Sequence, residues 1–198
     1  MKAATVLYSL SALSAVYACG DGPGHIHHRR ARRENITPPS RPLEWGDINI
    51  IHTTDTHGWL LGHQKASSPE PNYSGTFGDF SSFVTHMKAI ALKKDVDLLL
   101  VDSGDIHDGT GLTDGYPPGG VDAHDSNVFF AKLPYDLLAI GNHELYVYED
   151  TLDIYKNFIP KFKGRYLSSN ANITLPCPGG KPRSVPVGNR YAKFKTRK

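Results

Sequence analysis

The sequence predicts an α/β fold built on a largely parallel sheet, and three observations carry that prediction. Apolar runs of strand length occupy residues 48–54, 96–101 and 135–140. Segments with helical spacing of apolar residues separate them. Each run ends at a short polar motif containing Asp, Asn or His. Strand, helix, strand, helix, strand implies right-handed crossovers and helices packed against parallel strands. With 198 residues, 39% hydrophobic and 21% charged, the chain can hold one domain with its own core.

Residues 1–18 read as a secretory signal peptide. Lys2 supplies the positive start, residues 3–16 are apolar with interleaved Ser, and Val16-Tyr17-Ala18 suits a signal peptidase. The run is too short and too broken by Ser for a membrane span. A lipoprotein anchor at Cys19 fits less well, because Tyr17 is bulky for that cleavage pattern. Residues 19–45 read as a disordered leader: Gly22-Pro-Gly24, a His/Arg run and Pro38, Pro39 and Pro42 offer little to bury. His25, His27 and His28 belong to that basic stretch rather than to a metal site.

Residues 46–198 are expected to form the domain. The first strand, 48–54, ends at Asp55, and a loop rich in Gly, Ser and Pro follows through Gly75. Asp79 is expected to cap a helix whose Phe80, Phe83, Val84, Met87 and Ile90 share one face. The second strand, 96–101, ends at Asp102-Ser-Gly-Asp105. A turn-rich loop, 109–120, leads to a short helix near 126–132. The third strand, 135–140, ends at Gly141-Asn142-His143-Glu144; a helix over 149–158 and a fourth strand at 166–169 follow. Residues 187–198 read as the approach to another strand and stop on Lys195-Thr-Arg-Lys198 without a cap. The domain is therefore expected to be incomplete at its carboxyl end, with an open sheet edge.

Charge is distributed unevenly. The net charge is +2, yet residues 46–160 carry 17 Asp and Glu against 6 Lys and Arg. The basic excess lies in residues 25–33 and 181–198. An acidic centre suits cations and argues against a nucleic-acid polymer as partner. Asn35-Ile-Thr37, Asn72-Tyr-Ser74 and Asn172-Ile-Thr174 are N-glycosylation acceptors, consistent with export and an extracellular location. Cys19 and Cys177 are too few for a disulfide scaffold; they could pair, or Cys177 could pair beyond residue 198. Nothing in the pattern fixes an oligomeric state.

Ligands of such sheets gather beyond the carboxyl ends of the strands, where Asp55, His57, Asp105, Asn142 and His143 all fall. Hydrolysis of a phosphate ester needs an activated water, screened phosphoryl oxygens and a protonated leaving group. Two divalent cations about 3.5–4 Å apart supply most of this. Asp105 is the candidate bridge between them. Asp55 and His57, spaced i, i+2, would share one side of an extended segment and hold the first metal. Asn142 offers a neutral oxygen to the second, and His143 stands free to assist or to protonate the leaving oxygen. Oxygen and imidazole ligands suit Mn, Zn, Fe or Co alike. Alone, Asp-x-His or Gly-Asp reads as a turn or a cap; the ordered set carries the argument.

Three stretches resemble the calcineurin-like metallophosphoesterases, and within them the 5′-nucleotidase branch and its secreted fungal members. They are Ile50-Ile-His-Thr-Thr-Asp-Thr-His-Gly58, Val101-Asp-Ser-Gly-Asp105 and Tyr135-Asp-Leu-Leu-Ala-Ile-Gly-Asn-His-Glu144, and the resemblance covers about residues 47–175. It implies an α/β/β/α sandwich of two packed sheets flanked by helices. It implies also a two-metal phosphoesterase site and a small phosphomonoester or nucleotide as substrate. By motif position, Asp55 and His57 would hold one metal, Asp105 would bridge, Asn142 would hold the other, and His143 would assist catalysis.

Two departures from the family pattern stand out. Where that branch places an aromatic residue and then an Asp that orients the catalytic His, this chain has Leu145 and Tyr146. Glu149, Asp150 or the Tyr146 hydroxyl could take over. The family also supplies further His ligands downstream, whereas no His follows His143 here. His52, His63, His86, His107 and His124 are the candidate stand-ins, with His107 and Asp108 the best placed. The chain by itself is thus expected to turn over little. The rival reading is a non-catalytic secreted binding module that keeps a partial phosphoesterase site.

Overall fold

Four parallel strands in the order β1-β2-β3-β4 organise the computed structural model, which describes residues 40–62, 75–110, 112–115 and 118–197. The expected signal peptide, the leader up to residue 39, Cys19, His63 and the acceptors at Asn35 and Asn72 lie outside the described residues.

Strand β1, Ile48–Thr53, pairs with β2, Asp97–Asp102, in a register that sets Ile48 beside Asp97 and Thr53 beside Asp102. Strand β3 is shorter than expected, Leu137–Ala139, and pairs with β2 and with β4, Tyr166–Leu167. Its ladder still reaches one residue beyond each end, through Asp136 N–H to Leu100 O and Ile140 N–H to Leu167 O. The carboxyl ends of the first three strands open directly into the loops that carry Asp55, Asp105 and Asn142.

Helix α1, Phe77–Lys94, begins two residues earlier than Asp79. Its cap is Thr76, whose hydroxyl accepts the Asp79 N–H, while the Asp79 carboxylate accepts the Thr76 N–H. Thr76-x-x-Asp79 is thus a reciprocal capping box, and Asp79 occupies its third position rather than its first. The inward face follows from this earlier start. Phe77, Phe80, Val84, Met87 and Ala91 alternate steps of three and four, with Val84 and Ala91 fully buried. Phe83 and Ile90, expected inside, are 50% and 39% exposed on the flank.

The short helix α2 is one turn, Asn127–Phe130, and sets Phe130 into the core. Helix α3, Tyr148–Asp153, gives way to a wide π-type turn at Ile154–Phe158 and a tight turn at Ile159–Phe162. Pro160 cannot donate to the helical ladder and ends it there. Strands β5, Asn172–Leu175, and β6, Arg183–Pro186, form an antiparallel hairpin the sequence did not announce. After β6 the chain returns along β4: Asn189 N–H bonds to Tyr166 O, and Ser168 N–H to Asn189 O. Where residues 187–198 were expected to approach a further strand, the described residues make a single bridge, Leu167 to Asn189.

The core lies on one face of the sheet, where Leu100 and Leu138 meet Val84, Ile106, Phe130, Ile154, Phe158 and Tyr166. Alternation along the strands sends Ile48, Ile50, Leu99, Val101, Leu137 and Ala139 to the other face. There Ile48 and Ile50 are 61% and 62% exposed, and the other four are half-buried. No helix of the described residues is long and apolar enough to cross a membrane.

Candidate metal centre

Three loops, one from each of the first three strands, meet at the carboxyl end of the sheet. Asp55 and His57 follow β1, Asp105 and Asp108 follow β2, and Asn142 and His143 follow β3. The loops are joined through backbone atoms: Asp55 N–H donates to Gly104 O and His57 N–H to Asp105 O, each at 3.0 Å. His143 N–H donates to Asp105 Oδ1 at 2.9 Å. The second and third loops approach so closely that side chains at their glycines are excluded. A Cβ on Gly104, which has φ +95°, would strike the Gly141 backbone, and one on Gly141 would strike Asp105.

Asp55 and His57 do not share a side because their segment is extended, as the spacing suggested. The strand has ended at Thr53, and both residues adopt left-handed φ, 53° and 44°. Asp105 and Asp108 do so as well, at 56° and 59°. Four non-glycine residues in this sparsely occupied region cluster at one spot. Such conformations persist where surrounding structure enforces them, commonly at functional sites.

His57, Asp105 and His143 bring one ligand atom each within 4.8 Å of one another. The two imidazoles stand edge to face with centroids 4.6 Å apart. His57 Nδ1 lies 2.9 Å from His107 O and 2.7 Å from Asp108 O. Carbonyls only accept, so they fix a proton on Nδ1; Nε2, the nitrogen free to coordinate in the neutral ring, lies 3.6 Å from Asp55 Oδ1. A backbone carbonyl behind an imidazole is the usual support of a metal-bound His. The donor set therefore fits a divalent cation.

Burial opposes charge on His57, but the Asp108 and His107 carbonyls, then the Asp105 and Asp55 carboxylates, raise its pKa above the ordinary value. Asp55 is exposed; the Thr54 hydroxyl hydrogen bond, chiefly, lowers its pKa. Beneath the site Asp102 is pushed up to about 6 by burial, against hydrogen bonds from Thr53 and Gly104.

Asp108 is the side chain that meets His143: its Oδ2 lies 3.0 Å from His143 Nδ1. None of the three residues considered for that place from sequence is hydrogen-bonded to the His143 ring, although the Tyr146 ring packs against it with centroids 4.8 Å apart. The Tyr146 hydroxyl accepts from Asn142 Nδ2 at 2.6 Å, Asp150 Oδ1 accepts from Asp122 N–H, and Glu149 is exposed. The Asn142 amide, so held, presents its Oδ1 as the remaining acceptor. The signal for Asp108 was its place three residues after Asp105; the contact itself spans 35 residues and depends on the left-handed turn at Asp108.

The other histidines are accounted for locally. His52 Nε2 pairs with Ser103 Oγ, His86 Nδ1 with Ser82 O, and His124 Nδ1 with Asp153. His107 is buried, its ring 3.4 Å from Asn127, and it serves the site through its carbonyl. Cys177 is exposed.

Residues 48–196 match the calcineurin-like phosphoesterase family, and the chain belongs to that family. It is 44% identical over 204 residues to a secreted protein of Arthroderma benhamiae, an alignment covering 98% of this chain and 29% of the relative. It is 35% identical over 109 residues to bovine 5′-nucleotidase, covering 55% of this chain and 17% of that enzyme. The crystal structure of a 5′-nucleotidase from Candida albicans superposes with a TM-score of 0.69 at 46% identity, over 79% of this chain and 27% of that one. The chain thus spans less than a third of the length of these relatives.

Proposed function

We propose that this chain carries the front half of a two-metal site in an exported phosphoric ester hydrolase acting on nucleotides or other small phosphomonoesters. The observation that supports it most is the convergence of His57, Asp105 and His143 at three strand ends. Asp55 and His57 would hold one cation, Asp105 would bridge, and Asn142 Oδ1 would reach the other. Cations held there supply Lewis-acid polarisation of the phosphoryl oxygens and lower the pKa of attacking water.

The protein's own groups supply the rest. Asp105 contributes negative charge while one of its oxygens is tied to His143 N–H, which fixes the carboxylate plane. His143, oriented from Nδ1 by Asp108, offers Nε2 to the departing oxygen and gives it a proton. The left-handed turns hold this arrangement before substrate arrives, so little is spent on reorganisation. The substrate class follows from similarity to 5′-nucleotidases, and export from the leader and the secreted relative.

A second reading, a binding module without turnover, is favoured by the size of the cluster. Among the described residues only three His, Asp or Glu groups converge, which is few for two cations. On either reading this chain alone binds metal weakly. Phosphate release from a nucleoside monophosphate by the full phosphoesterase domain, with added Mn2+ and with Asp105→Asn as control, separates the two. Metal-dependent release lost in the variant supports the hydrolase; a metal-loaded, folded full domain inert on every phosphomonoester tried removes it.

A further inference from the structure

Glu144 is 1% exposed, yet it stands next to His143 in the most distinctive motif of the chain. Among the described residues its carboxylate meets no basic side chain. It is surrounded instead by four backbone N–H groups: Ile106 at 2.6 Å and His107 at 3.2 Å on Oε1, Asp105 at 3.0 Å and Gly141 at 2.8 Å on Oε2. Two carboxylate oxygens offer about four acceptor positions, and all four are filled. Glu144 therefore has no lone pair left for a cation, despite its place in the motif.

The donors come from two loops. Three successive amides, 105 to 107, converge on it from the loop after β2, in the manner of a backbone anion nest. The fourth comes from the loop after β3. On the opposite side, the carbonyls of Gly104 and Asp105 accept from Asp55 and His57 of the first loop. Residues 104–105 are thus a hub held between the first loop and Glu144. The hub is closed by His143 N–H on Asp105 Oδ1, and Glu144 is itself anchored to α3 by the Thr151 hydroxyl on its carbonyl at 2.7 Å.

We propose that Glu144 is a positioning residue whose buried carboxylate gathers the loops after β2 and β3 and thereby sets the spacing of Asp105 and His143. The inference rests on the reading of that cluster as a metal site. An amide in place of the carboxylate keeps the shape but turns one acceptor into a donor. It then faces either Asp105 and Gly141 or Ile106 and His107, donor against donor. Asp105 is freed to leave its left-handed conformation, and the cluster loosens without losing a ligand.

Hydrogen–deuterium exchange of the full chain, metal-free, tests the contact itself. The amides of residues 105–107 and 141 are expected to exchange slowly in the wild type before any cation is added, and at least about tenfold faster in Glu144→Gln. Mn2+ titration by calorimetry then tests the consequence. Glu144→Gln is expected to bind Mn2+ about 10- to 100-fold more weakly while still folded. Phe158→Leu, a core change outside both loops, is expected to lower the melting temperature and leave Mn2+ affinity of the folded protein unaltered. Free exchange of residues 105–107 in the metal-free wild type overturns the proposal, and that measurement stands even if Glu144→Gln fails to fold. So does wild-type Mn2+ affinity in Glu144→Gln, or equal loss of affinity in Phe158→Leu. Should Asp105→Asn leave Mn2+ binding unchanged while amides 105–107 stay protected, the metal reading fails and the role of Glu144 in gathering the loops survives.

Discussion

His143 Nδ1 lies 3.0 Å from the Asp108 carboxylate, while the carbonyl of that same Asp108 sits 2.7 Å from Nδ1 of His57. One residue thus orients both imidazoles of the site, one through its side chain and the other through its backbone. The two roles are separable by mutation.

Asp108→Asn removes the carboxylate and keeps the carbonyl. Turnover of a nucleoside monophosphate is expected to fall about 10- to 100-fold, the usual cost of losing an outer partner of a site histidine. Mn2+ affinity should stay close to wild type, because the His57 tautomer is still set by backbone. Steady-state kinetics alongside calorimetry checks both halves; a parallel loss of metal would mean that Asp108 itself coordinates.

Asp105→Asn is a different lesion. It weakens the candidate bridge and leaves His143 N–H with an amide oxygen in place of a charged one. Mn2+ affinity is expected to drop more than about 100-fold, beyond the range of an outer-partner change. Electron paramagnetic resonance of bound Mn2+ reads this directly.

Asp102 gives a pH signature that can be read on the metal-free chain. Its pKa in the fold, about 6, lies above the ordinary 3.8, so the folded state holds the proton more tightly than the unfolded chain. That contribution is complete below pH 3.8 and is lost as pH rises through about 6. Relative to Asp102→Asn, the wild type should lose on the order of 3 kcal/mol between about pH 4 and pH 7. Urea unfolding of both proteins across that range measures the difference; parallel curves would refute it.

Gly141→Ala places a methyl group against Asp105 N and Oδ1. Backbone atoms cannot step aside cheaply, so a loss of about 1–3 kcal/mol is expected. A lowered melting temperature together with weaker Mn2+ binding is the outcome to look for.

Strand β2 could be read from sequence because a parallel strand buried in a sheet appears as a continuous apolar run, and β1, at the edge, was marked by Ile48, Ile50 and Ile51 ahead of Asp55. The ends of β1, β2 and β3 named the loops, and the loops named the candidates Asp55, His57, Asp105, Asn142 and His143. What escaped was local geometry. The start of α1 was misplaced because Thr76 and Asp79 are both good cap residues, and only the reciprocal bonds tell which stands first. The hairpin β5–β6 was missed because its strands are four residues each and are separated by Pro176, Pro178 and two glycines. Asp108 could be noticed but not paired, since a left-handed turn brings it back toward His143 and no periodicity encodes that turn.

Ile48 and Ile50 have a consequence for handling the protein. They lie on β1, which is an edge strand of its sheet among the described residues, and both project apolar side chains into water. An unpaired strand edge beside a greasy face is a template for another chain. Colloidal behaviour rather than thermal stability will therefore limit the concentration at which this chain can be studied. Lysine at position 50 would act as a gatekeeper, improving solubility at a place remote from every metal-facing side chain.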